Sequence, residues 1–148
     1  MSLLDQLQND MKEAMKAREA DRLGTVRLLI ADLKTERINK MRDLTGEDEI
    51  DFLSRQAKRR RESIESFDGG GRTEMANKER AELAVIETYL PKQLSPDEVL
   101  AMAREAIAQA GATSRKDASK VMPLLMPQLK GKFPGKDVKP LLDSLLPA

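Results

Sequence analysis

The sequence predicts an all-α protein, a four-helix amino-terminal bundle joined by a proline-marked hinge to a small three-helix carboxy-terminal domain, and three observations carry that expectation. Charged residues make up 34% of the 148 and aromatics only 3%, with no Trp, so the core has to be built from aliphatic side chains packed between helices. Apolar residues return every three or four positions in nearly every segment, and no stretch alternates with the period of two that a strand requires. Capping residues, Gly and Pro punctuate these segments at intervals that suit helices joined by short connections.

Ser2 precedes Leu3, Leu4, Leu7, Met11, Ala14 and Met15, and Asp5 completes a capping box, so a first helix is expected from the outset to about Glu19. Asp21 is expected to cap a second, with Leu23, Val26, Leu29, Ile30, Leu33 and Met41 as its apolar stripe, ending at Asp43-Leu44-Thr45-Gly46. Thr45 and Asp48 open a third, whose first turns hold Glu47, Asp48, Glu49 and Asp51 against the positive end of the helix dipole. Its expected core face is Ile50, Leu53, Ala57, Ile64 and Phe67. Beyond the turn Gly69-Gly70-Gly71, Thr73 introduces a fourth, with Met75, Leu83, Ile86 and Leu90 buried.

Pro91 cannot continue that helix and pushes Leu90 out of the helical region, while Ser95, Pro96 and Glu98 restart one as N-cap, first-turn proline and capping partner. The stretch from Tyr89 to Pro96 is therefore read as a hinge between domains at 1–90 and 91–148. Val99, Ala103, Ile107 and Ala110 form one face of a fifth helix, closed by Gly111. Ser114 and Asp117 are expected to cap a sixth, which Pro123 and Pro127 should kink or break. After a loop at Gly131 to Gly135, Asp137 begins a last helix through Val138, Leu141, Leu142 and Leu145, ending at Pro147.

Many chemistries are excluded by composition. There is no Cys and no His, so disulfides, thiolate nucleophiles, imidazole bases and zinc sites are out. Gly131-Lys132-Phe133-Pro134-Gly135-Lys136-Asp137 is one residue short of a phosphate loop, ends in Asp where Ser or Thr would hold magnesium, and follows no strand. No Ser-x-x-Lys occurs. No catalytic residue, cofactor site or metal ligand is assigned. No apolar run approaches the roughly 18 residues of a bilayer span, and the amino terminus lacks a basic segment followed by an apolar one, so a cytoplasmic location and no membrane contact are expected.

The net charge of +1 conceals a division: residues 1–90 carry 17 Lys and Arg against 19 Asp and Glu, and residues 91–148 carry 9 against 6. Between Ala112 and Pro140 the bases are Arg115, Lys116, Lys120, Lys130, Lys132, Lys136 and Lys139, opposed by Asp117 and Asp137 alone. Lysines so spread would gain affinity for phosphates by counterion release, and helix starts at Ser114 and near Gly135 would add backbone donors. The plainer reading is a solvated, Lys-rich surface. With Phe133 the one aromatic side chain available for stacking, backbone and shape recognition of a folded RNA fits better than base reading. Lys58-Arg59-Arg60-Arg61 scatters its charges around a helix at about 100° per residue. Arg61 falls on the expected core face and is read as a structural ion pair, with Glu82 and Glu87 as candidate partners; Arg27 raises the same question.

Val26-Arg27-Leu28-Leu29, Lys58-Arg59-Arg60-Arg61-Glu62-Ser63-Ile64, Tyr89-Leu90-Pro91-Lys92-Gln93-Leu94, and Lys116-Asp117-Ala118-Ser119-Lys120-Val121-Met122 followed by Leu129-Lys130-Gly131-Lys132 resemble, over nearly the whole length, the YqeY-like proteins, also called the GatB/YqeY domain family. The tail is also similar to the carboxy-terminal domain of the B subunit of aspartyl/glutamyl-tRNA amidotransferase, a carbon-nitrogen ligase that uses glutamine as amido donor. The resemblance implies a two-part all-helical fold and, for the tail, contact with tRNA, the chemistry residing in domains this chain lacks. The chain is thus expected to be a non-catalytic accessory tRNA- or RNA-binding protein, acting through Lys116, Lys120, Lys130, Lys132 and Lys136 without a cofactor. The alternatives are a helical adaptor that presents Met122, Leu125 and Met126 to a protein partner, and an enzyme subunit completed by another chain.

Overall fold

The computed structural model describes residues 1–148, helical throughout and without a strand. Its helices are α1 (Leu3–Ala17), α2 (Ala20–Lys40), α3 (Gly46–Gly69), α4 (Thr73–Glu87), α5 (Pro96–Ala110), α6 (Ala118–Leu129) and α7 (Gly135–Leu145), with a single 3-10 turn at Arg115–Asp117 before α6. Packing divides the chain into two compact units, Met1–Leu90 and Pro91–Ala148.

In the first unit, α1 pairs with α2 and α3 with α4, while α2 also packs on α4. Both sides of the capping box are present at α1, between Ser2 and Asp5, and at α3, between Thr45 and Asp48. Asp21 does not cap α2: it lies in the first turn, and Glu19 occupies the N-cap without a side-chain bond. The core is Leu3, Leu7, Val26, Leu29, Ile30, Leu33, Phe52, Leu53, Ala57 and Ile86. Three methionines of the expected apolar faces are exposed instead, Met15 at 51% among them. Met41 follows the end of α2 in the left-handed conformation and is 91% exposed, and Met75 is 47% exposed while its neighbour Ala76 is buried. On α3 the buried pairs are Phe52–Leu53 and Gln56–Ala57, which rotates the inner face away from Ile50 and Ile64, both only half-buried.

In the second unit α5, α6 and α7 all pack on one another around Val99, Ala103, Ala106, Val121, Leu125, Leu129, Val138, Leu142 and Leu146. Ser95 and Glu98 complete the box at α5, Pro96 stands in its first turn, and Gly111 ends it at φ 65°. Asp117 does not cap α6; its carboxylate accepts from the Thr113 backbone N–H at 2.9 Å and hydroxyl at 3.2 Å. Nor do the prolines break α6, which runs through both. Pro123 and Pro127 stand four residues apart on the exposed side, so the carbonyls they leave without donors face water, and Val121, Leu125 and Leu129 hold the opposite side in the core.

Two sets of bonds fix the directions of these helices. The Leu94 N–H donates to the Lys132 carbonyl at 2.9 Å and Gln93 Nε2 to the Gly131 carbonyl at 2.7 Å, tying the entry to α5 onto the α6–α7 loop. Arg115 donates from its N–H to the Pro147 carbonyl at 2.9 Å and from Nε to the Asp143 carbonyl at 3.2 Å, tying the start of α6 to the end of α7. Hence α5 and α7 run parallel and α6 runs against both.

Candidate nucleic-acid interface

That topology divides the five candidate lysines between two ends of the second unit. Lys116 and Lys120 sit at the start of α6; Lys130, Lys132 and Lys136 sit at its end and around the start of α7. At about 1.5 Å rise per residue, α6 alone separates Lys120 from Lys130 by about 15 Å. The five do not converge.

An acid stands within each group, Asp117 in the first and Asp137 in the second. Lys120 Nζ is 3.6 Å from Asp117 Oδ1, a carboxyl held below its usual range by the Thr113 N–H and, to a lesser extent, by Lys120 itself, so it stays an anion and offsets this end. The helix start expected at Ser114 is only a three-residue 3-10 turn. At the other end, Lys130 and Lys136 are exposed and Lys132 is half-buried. Here α7 begins behind Pro134 with no side-chain cap; the Asp137 N–H donates to the Pro134 carbonyl at 3.1 Å, and the Asp137 carboxylate stands in the same first turn. Phe133 is half-buried and packs against the core. Met122 and Met126 also pack on that core while half-buried, and Leu125 is fully buried within it, so of the three residues expected to be partly exposed Leu125 is not.

Several charged residues of the first unit pair with one another. Arg61 Nη2 lies 3.3 Å from Glu87 Oε1, the structural pair expected of it, whereas Arg27 is exposed. Glu82 goes to Arg60, which sequence periodicity passed over: with its side chain only 12% exposed, Arg60 directs Nε to Glu82 at 3.1 Å and to Glu79 at 3.8 Å. It also donates from Nη1 to Gln56 Oε1 at 2.7 Å, and Gln56 Nε2 reaches Asp32 on α2 at 3.2 Å. Burial, helped by the charge of Glu82, pushes the Glu79 carboxyl up. Asp48 accepts from Arg42 at 2.5 and 3.2 Å and from the Thr45 N–H at 2.8 Å, which together hold its carboxyl well below the usual range. The Tyr89 hydroxyl donates to Asp10. These networks bind helix to helix. No signal short of knowing the α3–α4 packing would have singled out Arg60.

The family model described as Yqey-like protein matches residues 4–146. Among curated proteins, the chain is 33% identical over 88 residues to the Altered inheritance of mitochondria protein 41, mitochondrial, of Eremothecium gossypii, covering 59% of this chain and 48% of that protein. Proteins of the same name from Pyrenophora tritici-repentis and Lachancea thermotolerans match at 27% over 135 residues and 32% over 85, covering 88% and 57% of this chain and 72% and 46% of theirs. The chain thus spans about half the length of the first and third of these relatives. Their names correct the expected cytoplasmic location, since all three are named as mitochondrial. That expectation rested on finding no apolar segment, but organellar transit segments are amphipathic and Arg-rich, so the test was blind to them. No helix is long and apolar enough to cross a membrane.

Proposed function

Because the chain belongs to the YqeY-like family, we propose that it is an accessory RNA-binding protein whose second unit holds the phosphate backbone of a structured RNA, tRNA first among them. The observation that carries this is the position of Lys130, Lys132 and Lys136 around the start of α7, where lysine charge and the positive end of a helix dipole would act together on a phosphate. The excess of bases over acids in residues 91–148 supports it, and the scarcity of aromatic side chains there, with Phe133 half-buried against the core, favours backbone contact over base reading. What singles out tRNA in this reading is the resemblance of the tail's sequence motifs to the amidotransferase B subunit, which rests on those motifs alone. It would also let the chain work beside a glutamine-dependent amidotransferase without performing that chemistry.

The test uses the full chain in two double variants. Lys130→Glu with Lys132→Glu is expected to weaken tRNA binding by about tenfold or more at low salt, since two cationic contacts are reversed. Lys116→Glu with Lys120→Glu, at the end already offset by Asp117, should cost only a few-fold. Equal losses from the two variants would discard the α7 start as the contact, and a wild-type chain that does not bind tRNA would discard the function.

A further inference from the structure

Helix α2 is apolar on two sides. Val26, Leu29, Ile30 and Leu33 face the core of the first unit. On the opposite side Gly24, Leu28, Ala31, Thr35 and Ile38 are all exposed, Leu28 at 51% and Ile38 at 74%. Thr35 turns its hydroxyl back to donate to the Ala31 carbonyl at 3.1 Å, which leaves its methyl group for the surface. The spacing is four, three, four, three, a heptad seam, and the five positions lie within about 40° of one line for about 21 Å. No charge interrupts that line. Its two borders are opposite in character: Arg27 and Lys34 run along one, and Asp32 and Asn39 along the other, all four exposed, Asp32 giving one carboxylate oxygen, Oδ2, to Gln56 and keeping Oδ1 for a further contact.

We propose that this face of α2 packs against the same face of a second copy of the chain, parallel and in register, as a short two-stranded coiled-coil seam. Charge complementarity selects both the occupant and the direction. In a parallel pair, a residue just before the seam on one helix meets the residue just after it, five positions on, along the other. Arg27 then meets Asp32 of the second copy, Lys34 meets its Asn39, and two-fold symmetry repeats both contacts in a self-complementary interface. An antiparallel pair would set Arg27 and Lys34 against the same basic border of the other copy. The small side chains at Gly24 and Ala31 let the helices approach, and Leu28 and Ile38 supply the apolar contact; nothing lies within 4 Å of a Cβ at Gly24. The seam is smaller than the roughly 800 Å² per partner of a standard interface, so association belongs at micromolar concentrations.

The chain has no Cys, so a single introduced thiol reports on the pairing without background. A parallel seam brings the two copies of position 38 within the about 5.5–6 Å between Cα atoms that a disulfide spans, whereas an antiparallel one sets Ile38 opposite Gly24. Sedimentation of the full chain is expected to show a monomer–dimer equilibrium in the micromolar range. Under oxidation Ile38→Cys should cross-link at least about tenfold faster than Met75→Cys, whose site on α4 is also exposed. Leu28→Glu should be monomeric, with a melting curve that matches the wild type at concentrations where the wild type is itself monomeric, because its site faces solvent in the monomer. Arg27→Glu should weaken the dimer, and Arg27→Glu with Asp32→Arg should restore it. A wild type that stays monomeric, cross-linking at position 38 no faster than at position 75, or a dimer that survives Leu28→Glu would each overturn the proposal.

Discussion

Arg18 and Met41 close α1 and α2 at φ 57° and 56°, in the left-handed region, where an L side chain crowds the following carbonyl at a cost of about 1–2 kcal/mol. Each N–H nevertheless reaches back to the last turn, from Arg18 to Ala14 and Met15 and from Met41 to Arg37 and Ile38. Glycine keeps those bonds and removes the crowding. Arg18→Gly is therefore expected to raise the unfolding free energy by about 0.5–1 kcal/mol after the added freedom of the unfolded chain is counted, measurable by urea denaturation. Tyr89, the one tyrosine, is pushed above its ordinary value of 10.0, first by burial and then by its bond to Asp10. A pKa raised on folding stabilises the protein below the ordinary tyrosine value and loses that contribution as pH climbs through the folded one. An absorbance titration should find Tyr89 still protonated well above pH 10, and Asp10→Asn should bring its ionisation back towards the ordinary range.

Helix ends and helix faces were legible to different degrees. The capping boxes at Ser2, Thr45 and Ser95 could be read from four residues each, because the chemistry of an N-cap is local. The inner face of α3 could not, because its rotation is set by α2 and α4, and a shift from Ile50 to Phe52 also carries Arg60 inward. Arg60→Met should accordingly destabilise the chain by about 2–3 kcal/mol, leaving Glu82 and Glu79 without their cation, while Arg61→Met, whose partner Glu87 is more exposed, should cost less. The prolines of α6 show the same limit from the other side: what they break was legible, and that the break faces water was not. Asp48 joins a cap to an ion pair, and since its carboxyl is depressed, its stabilisation holds above the ordinary value of 3.8 and fades as pH falls below it. Thermal melts should drop on acidification through that region, and Asp48→Asn, already without the ionised cap, should flatten the drop.

At the scale of the whole chain, a net charge of +1 hides an acidic first unit and a basic second one, and that division was legible from counting alone. The five lysines were legible as residues. Their separation into two groups was not, because it follows from α6 running against α5 and α7, which long-range bonds such as Leu94 to Lys132 and Arg115 to Pro147 establish. The starts of α6 and α7 both lack a side-chain cap, and the lysines are shared between them two and three, so few phosphates would be neutralised at either. The most direct measurement is a titration of the full chain with tRNA, duplex RNA and DNA across a salt series. Preference for tRNA is expected, with a slope of log affinity against log salt of about −2 to −3, as two or three neutralised phosphates require, becoming shallower in the Lys130→Glu and Lys132→Glu double variant. Equal affinity for all three nucleic acids, or a slope that the double variant leaves unchanged, would contradict an RNA contact at the start of α7.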